Sequence, residues 1–570
     1  MTPRRFLPAL LLLFVGSGCA ALIYEVVWFQ LLQLVIGSSA VSIGVLLGTF
    51  MGGMCLGSLL LPRLRFAQDR HPLRVYAALE LGIGLIGLLV LFGMPVVSGV
   101  YTAWAGSGVT GILLRGIAAG ICLLPPTLLM GATLPAISRW VESTPEGVSW
   151  LGFFYGGNIA GGVLGSLLAG FYLLRVFDMA IATYAAVALN VTVALLAIAI
   201  ARIAPALEGS AAAAPVSAPA IQATARWAVY VAIALSGMTA LGAEVIWTRL
   251  LSLLFGATVY TFSLILAVFL FGLGIGSSLG SAIGRSVSRP RLALGWCQML
   301  LCAAIAWASF MLTDSLPYWP INPSITTDAW FNFQLDLVRC LWVVLPGAIL
   351  WGASFPLALA AVATRGQDPA RLVGGVYAAN TIGAILGSLI MSLVLVVWLG
   401  SQHAQQALIL TSALSGLLIL STGMEEAPVK RLQFAGTVII IAAAAGAGLL
   451  SRGIHPVPGI FVAYGRYTAT RLGQADIIYM GEGWNASVAV SRLPGGVLNY
   501  HNAGKVQASS EPQDMRLQRM LGHMTTLIPQ HPSSVLVIGC GAGVTAGAVS
   551  IDPAVEHETI AEIEPLVPKV

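Results

Sequence analysis

The chain has 570 residues, of which 58% are hydrophobic and 9% charged, whereas an average soluble domain carries roughly 25% charged residues. That composition excludes a soluble globular protein. The net charge of +5 comes from residues 1–450, with 20 basic and 14 acidic side chains, while residues 451–570 hold 8 and 9, so no basic patch exists for a nucleic acid.

In chain order, Arg4, Arg5, an apolar run and Gly18-Cys19 resemble a lipoprotein signal, but the repeat described below places the stretch inside a transmembrane helix. Apolar runs long enough to cross a hydrocarbon core of roughly 30 Å follow at about 6–36, 40–61, 75–98, 108–137, 151–174 and 177–203. Residues 205–226 form an Ala/Pro/Ser-rich linker. The second series lies at about 227–255, 257–283, 291–312, 338–362, 372–398 and 404–421, with an extra run at 432–450, giving about 13 spans. The expected domains are a first six-helix unit (1–204), the linker, a second unit (227–421), the extra helix and a polar tail (451–570). The seven cysteines have no metal-like or disulfide-like spacing, and no metal is expected.

The two units repeat each other. Ser17-Gly18, Glu25-Val26-Val27-Trp28 and Gly37 recur 219 residues on as Ser236-Gly237, Glu244-Val245-Ile246-Trp247 and Gly256. Asn158, Gly161 and Gly165 match Asn380, Gly383 and Gly387 at an offset of 222. Two six-helix halves in parallel repeat are the arrangement of major-facilitator-like carriers. Arg4, Arg5, Arg63, Arg65, Arg70, Arg74, Arg285, Arg289, Arg291, Arg365, Arg371, Lys430 and Arg431 all fall on one side, which is then cytoplasmic. The opposite loop, Thr313 to Asp336, has three Asp, several aromatics and no Lys or Arg, and reads as a cap at the outer interface.

A charge in the bilayer core costs roughly 3 kcal/mol. Glu25 and Glu244 each lie about 12 residues, or roughly 18 Å, before the Gly that ends their helix, near mid-depth. They can bind protons or a cationic solute between the halves, or accept hydrogen bonds within their own half, with Arg249 a partner for Glu244. Asn158 and Asn380 line the same expected cavity or bond between helices beside the small-residue contacts. The pairs Pro125/Pro135 and Pro346/Pro356 are expected to kink helices.

From Ala475 the pattern turns to period two, at 477–480, 487–490 and 497–500, a small β-hairpin region. A helix over 513–527 precedes the apolar strand Val535–Ile538. Gly539-Cys540-Gly541-Ala542-Gly543 then leads, about 20 residues on, to Glu562-Ile563-Glu564. Strand, glycine turn, helix and acid at this spacing suit an adenosyl-nucleoside site, the start of a Rossmann-like α/β domain, or else a tight turn without ligand.

Residues 484–570 resemble the spermidine synthase family (polyamine aminopropyltransferases), specifically bacterial proteins with such a domain fused behind a major-facilitator-like membrane part. The resemblance rests on Gly504-Lys505-Val506-Gln507-Ala508-Ser509, the run Pro512 to His523, the turn Val535 to Gly543, and Ala561-Glu562-Ile563-Glu564-Pro565. It implies that Gly539, Gly541, Gly543 and Glu562 hold the S-adenosyl group, that Gln507 lines the substrate site, and that decarboxylated S-adenosylmethionine is the co-substrate of an aminopropyl transfer to a polyamine. Ala542 stands where the family has an Asp, and Leu517 where a substrate-contacting Tyr is usual. The family's later acidic loop and catalytic aspartate have no counterpart before Val570, so no catalytic residue is assigned and an N-terminal part of the domain, without transfer activity, is expected. The rival expectation is a carrier for a cationic or amphipathic solute with a degenerate nucleoside-binding tail; a methyltransferase-like adenosyl binder is a third. A bacterial inner (plasma) membrane location is expected. Thirteen spans place the tail outside, against a cytoplasmic cofactor, and 432–450 is the run suspected of not spanning.

Overall fold

The computed structural model describes residues 6–36, 40–64, 70–104, 108–141, 147–203, 223–324, 328–363, 369–424 and 430–569. Most of the expected linker, together with Arg4, Arg5, Arg65 and Arg365, lies outside them. Among the described residues, ten helices are long and apolar enough to cross a membrane, and Val45–Leu60 and Gly436–Arg452 are shorter apolar helices. The chain is a multi-pass helical membrane protein, with the lipid bilayer as its solvent.

The first series is α1 (Leu7–Ile36), α2 (Ala40–Leu60), α3 (Pro72–Trp104), α4 (Gly108–Val141), α5 (Gly147–Leu167) and α6 (Met179–Ile203). The second is α7 (Ala223–Phe255), α8 (Val259–Ser286), α9 (Pro290–Phe310), α10 (Ala329–Val362), α11 (Pro369–Ile390) and α12 (Val396–Met424), followed by α13 (Lys430–Arg452). These helices are apolar on all sides because they have two apolar environments to meet. Leu85, Leu89 and Phe92 of α3 point outward, whereas Trp28, Trp247, Tyr24 and Tyr76 are the largest fully buried side chains.

Backbone contact between helices depends on glycine. A Cβ on Gly18 would collide with the Asn158 carbonyl, and one on Gly161 with that of Val15, where α1 crosses α5. The same pair of collisions recurs between α7 and α11, at Gly237 with Asn380 and Gly383 with Ala234. Small residues let such helices touch, and close packing replaces the hydrophobic driving force that lipid removes.

The 51-residue apolar segment Leu372–Thr422 is broken at Gly400 (φ 81°, ψ 166°). The helix restarts at Ser401, whose N–H donates to Glu482 of the tail. α13 has 23 residues, about 35 Å at 1.5 Å per residue. It packs on α12 and returns the chain to the Gly400 end, where Gln402 donates to the Ile454 carbonyl at 2.8 Å. Over its described apolar stretch, Gly436–Arg452, this helix is shorter than the ten candidate spans. The tail meets the helices at this end, against the Leu253 carbonyl near the close of α7. Arg285, Arg289 and Arg291, at the far end of α8 and the start of α9, lie opposite.

One residue of the expected outer cap falls elsewhere. α10 begins at Ala329, so Asp336 is a buried helical residue. It pairs with Arg339 at 3.9 Å and with Arg466 of the tail at 3.5 Å, while Asp314 meets His455 at 3.0 Å. The loop lacks basic residues because the tail supplies them.

The tail opens with α14 (Gly459–Tyr464), whose Phe461, Val462 and Ala463 join the core of the second helix series. Instead of a hairpin, a four-stranded antiparallel meander follows: β1 (Asp476–Glu482), β2 (Ser487–Arg492), β3 (Leu498–Asn502) and β4 (Lys505–Ser509). Next come α15 (Pro512–Leu527), β5 (Ser534–Ile538), α16 (Val544–Ser550) and β6 (His557–Ala561), with β5 and β6 parallel. Val535 and Val537 pack on α16, while Leu536, Ile538 and Ile560 leave the other face of the pair open.

Candidate functional site

A cavity of about 260 Å³ lies between the two helix series. Glu25 and Glu244 both line it, as do Asn158 and Asn380, so all four membrane candidates converge on one space. No Lys, Arg or His lines it among the described residues. Trp351, placed by its Nε1–H bond to Thr239 Oγ1 at 3.0 Å, closes one wall. The Asn158 carboxamide lies against Gly18 of α1 and the Asn380 carboxamide against Gly237 of α7, at the two close helix crossings. Arg249 is not Glu244's partner: its Nη2 donates to Ser487 Oγ of the tail at 3.2 Å.

Glu80 was not a candidate from sequence, although a lone acid in the apolar run 75–98 is the signal that singles out Glu25. It is fully buried, accepting from Ser17 Oγ at 2.6 Å and from Asn190 Nδ2 at 2.6 Å. Ser17 and Asn190 themselves line the cavity. On the corresponding helix of the second series, Gln298 donates to Ser236 Oγ at 3.2 Å and to Ser354 Oγ at 2.7 Å.

A second cavity, of about 630 Å³, shares Glu244 and Leu47 with the first and so continues it toward the tail. Gln30, Gln33 and Arg249 line its membrane side, and the β1–β2 turn, Trp484 to Ser487, forms its roof.

In the tail, Gly539, Gly541 and Gly543 have φ of 84°, 53° and 76°, left-handed values that a side chain would strain. Their conformation fits the expected glycine turn, with Gly543 immediately preceding the seven-residue α16. Glu562 turns toward it: Oε2 accepts the Cys540 N–H at 2.7 Å, and Oε1 the Glu564 N–H at 3.0 Å. Both oxygens thus already hold backbone. Burial, and then the Glu562 carboxylate, push the Tyr500 phenol above its ordinary value. Gln507 is exposed in β4, in the stretch where the pairing with β3 is irregular.

No family model matches the chain. It is 30% identical over 198 residues to polyamine aminopropyltransferase 2 and 26% identical over 369 residues to polyamine aminopropyltransferase 1, both of Streptomyces coelicolor, covering 33% and 63% of this chain. It is 24% identical over 332 residues, 57% of this chain, to the polyamine aminopropyltransferase of Oceanobacillus iheyensis. These matches span 32%, 64% and 58% of the relatives' own lengths. Each is longer than residues 451–570, so each includes membrane helices. Among solved structures, a bacterial homologue of the iron transporter ferroportin aligns at TM-score 0.48 and 12% identity, over 73% of this chain and 98% of that one. The nucleoside transporter NupG aligns at 0.43 and 14%, over 74% and 99%.

Proposed function

We propose that the chain binds a cationic amine in the cavity between its helix series and carries it across the bacterial plasma membrane. The observation that carries this reading is the convergence of Glu25 and Glu244 on one space without a basic lining residue. Two carboxylates in a low-dielectric site attract an ammonium strongly and leave a neutral or anionic solute unpaired. The two units act as a pseudo-symmetric pair, each contributing one acid. In this reading the Arg285 end faces the cytoplasm and the tail lies outside, as the positive-inside rule expects of the basic loops.

The test is a thermal-shift series in detergent with putrescine and spermidine. Wild type should be stabilised, because a ligand that binds only the folded state raises Tm. Glu25→Gln and Glu244→Gln should each abolish that rise and remain folded. An undiminished solute response in both variants would remove the reading.

A second reading is favoured by the three relatives, each a polyamine aminopropyltransferase by name. In it the tail belongs to an enzyme that transfers an aminopropyl group from decarboxylated S-adenosylmethionine to a polyamine. Gly539, Gly541, Gly543 and Glu562 hold the nucleoside, and Gln507 faces the amine. Glu562 would have to exchange the Cys540 N–H for the ribose hydroxyls. Calorimetry with methylthioadenosine tests this; micromolar binding that survives Glu562→Ala would refute the role of that acid.

A further inference from the structure

We infer that Glu80 is a proton-binding site that exchanges its proton with the cavity when a cation enters, so that binding is coupled to proton release. Three observations carry it: Glu80 is fully buried, two of its hydrogen-bond donors, Ser17 and Asn190, line the cavity, and its counterpart in the second series is the non-ionisable Gln298. The inference rests on the cation reading of the cavity, which it deepens.

The groups around Glu80 suit both protonation states. As a carboxylate it accepts from the Ser17 hydroxyl and the Asn190 amide. As a carboxylic acid it can donate to Ser17 Oγ, since a hydroxyl serves as donor or acceptor. The ionisable groups that face it are Tyr24 of α1 and Tyr76, one turn away on its own helix. α6 contributes Asn190. On α4, Arg115 lies 14 residues from Leu129, which meets Gly82, and so about 21 Å along the helix from Glu80's level. No cation pairs with Glu80 among the described residues.

When one ammonium group settles between Glu25 and Glu244, the Glu80 carboxylic acid releases one proton to the cavity and becomes a carboxylate. While the cavity is empty its two carboxylates oppose a further negative charge beside them, so Glu80 holds its proton; the ammonium offsets them and lets the Glu80 carboxyl ionise, one proton leaving for each ammonium group bound there.

Infrared difference spectroscopy of the full chain in detergent, between acid and alkaline pH, tests the proton site directly. A carbonyl band of a buried carboxylic acid should titrate in wild type, vanish in Glu80→Gln and persist in Glu25→Gln. Putrescine added to wild type should diminish that band, with about one proton released per solute in a weakly buffered solution. If Glu80→Gln does not fold, Ser17→Ala should shift the band through the lost hydrogen bond. A band untouched by Glu80→Gln, or by Ser17→Ala in its place, overturns the proposal, as does solute binding without proton release. Loss of putrescine binding in the Glu25 and Glu244 variants with the Glu80 band still titrating leaves the proton site standing; a titrating band with no putrescine binding in wild type counts against the carrier reading alone.

Discussion

Glu564 Oε2 accepts the Asn485 N–H at 2.7 Å and the Ala486 N–H at 3.2 Å, fixing the turn that roofs the larger cavity. Gly483 is the residue that allows it, because a Cβ there would meet the Glu564 carboxylate. The Glu564 N–H in turn donates to Glu562, which holds the glycine turn. One hydrogen-bonded chain therefore joins the candidate nucleoside site to the cavity mouth. Glu564→Ala should free the turn and open the mouth. A cysteine at Thr248, in the cavity wall, should then react severalfold faster with a membrane-impermeant maleimide than in the Glu564 parent, over the background of the native cysteines. An unchanged rate would mean that the turn does not gate access.

Stability should fall in acid through His501. This side chain is fully buried between Ser491, 2.7 Å from its Nε2, and the Tyr464 ring at 4.8 Å. Burial pushes its imidazole down to about 4 from about 6.5 in the unfolded chain. The unfolded state thus binds more protons in that window. Its contribution is complete above about pH 6.5 and is lost as pH falls toward 4, on the order of 3 kcal/mol. His501→Gln should flatten this part of the Tm-against-pH curve; an identical slope in the variant would assign the acid sensitivity elsewhere.

The Asp336–Arg466 pair ties tail to membrane at a buried position. Removing Arg466 leaves the buried Asp336 with Arg339 alone, at 3.9 Å, so the loss should stay below the roughly 3–5 kcal/mol of a wholly unpaired buried charge. Arg466→Ala should lower Tm, and Asp336→Asn added to it should lower Tm further, because it leaves the buried Arg339 without its carboxylate. A double variant no less stable than the single would show that Arg339 does not depend on that charge.

Gly161→Ala should destabilise by about 1–3 kcal/mol, because the added methyl must displace the Val15 backbone. Gly116→Ala is the control, since nothing lies within 4 Å of its Cβ position. Removing Gly in a helix there should be neutral or stabilising. Similar Tm shifts in the two variants would refute close packing at the α1–α5 crossing.

Much of the membrane part was legible in the sequence, because a bilayer demands long apolar helices whatever their neighbours do. The runs at 6–36, 177–203 and 227–255 reappear nearly residue for residue as α1, α6 and α7. Glu25 and Glu244 could be singled out because a lone carboxylate in such a run is expensive wherever it points, and the period-two pattern of the tail located β1 to β3. Tertiary structure decided what each polar group faces. Sequence spacing paired Arg249 with Glu244 five residues away, but the helix turns the guanidinium to Ser487, 238 residues on. It read Asp336 as part of an exposed loop, since its partner Arg466 belongs to another segment. It passed over Glu80 because Ser17 and Asn190, which complete its site, lie 63 and 110 residues away. Apolar length is a local property of the chain, whereas the partner of a buried charge is fixed only when distant helices close around it.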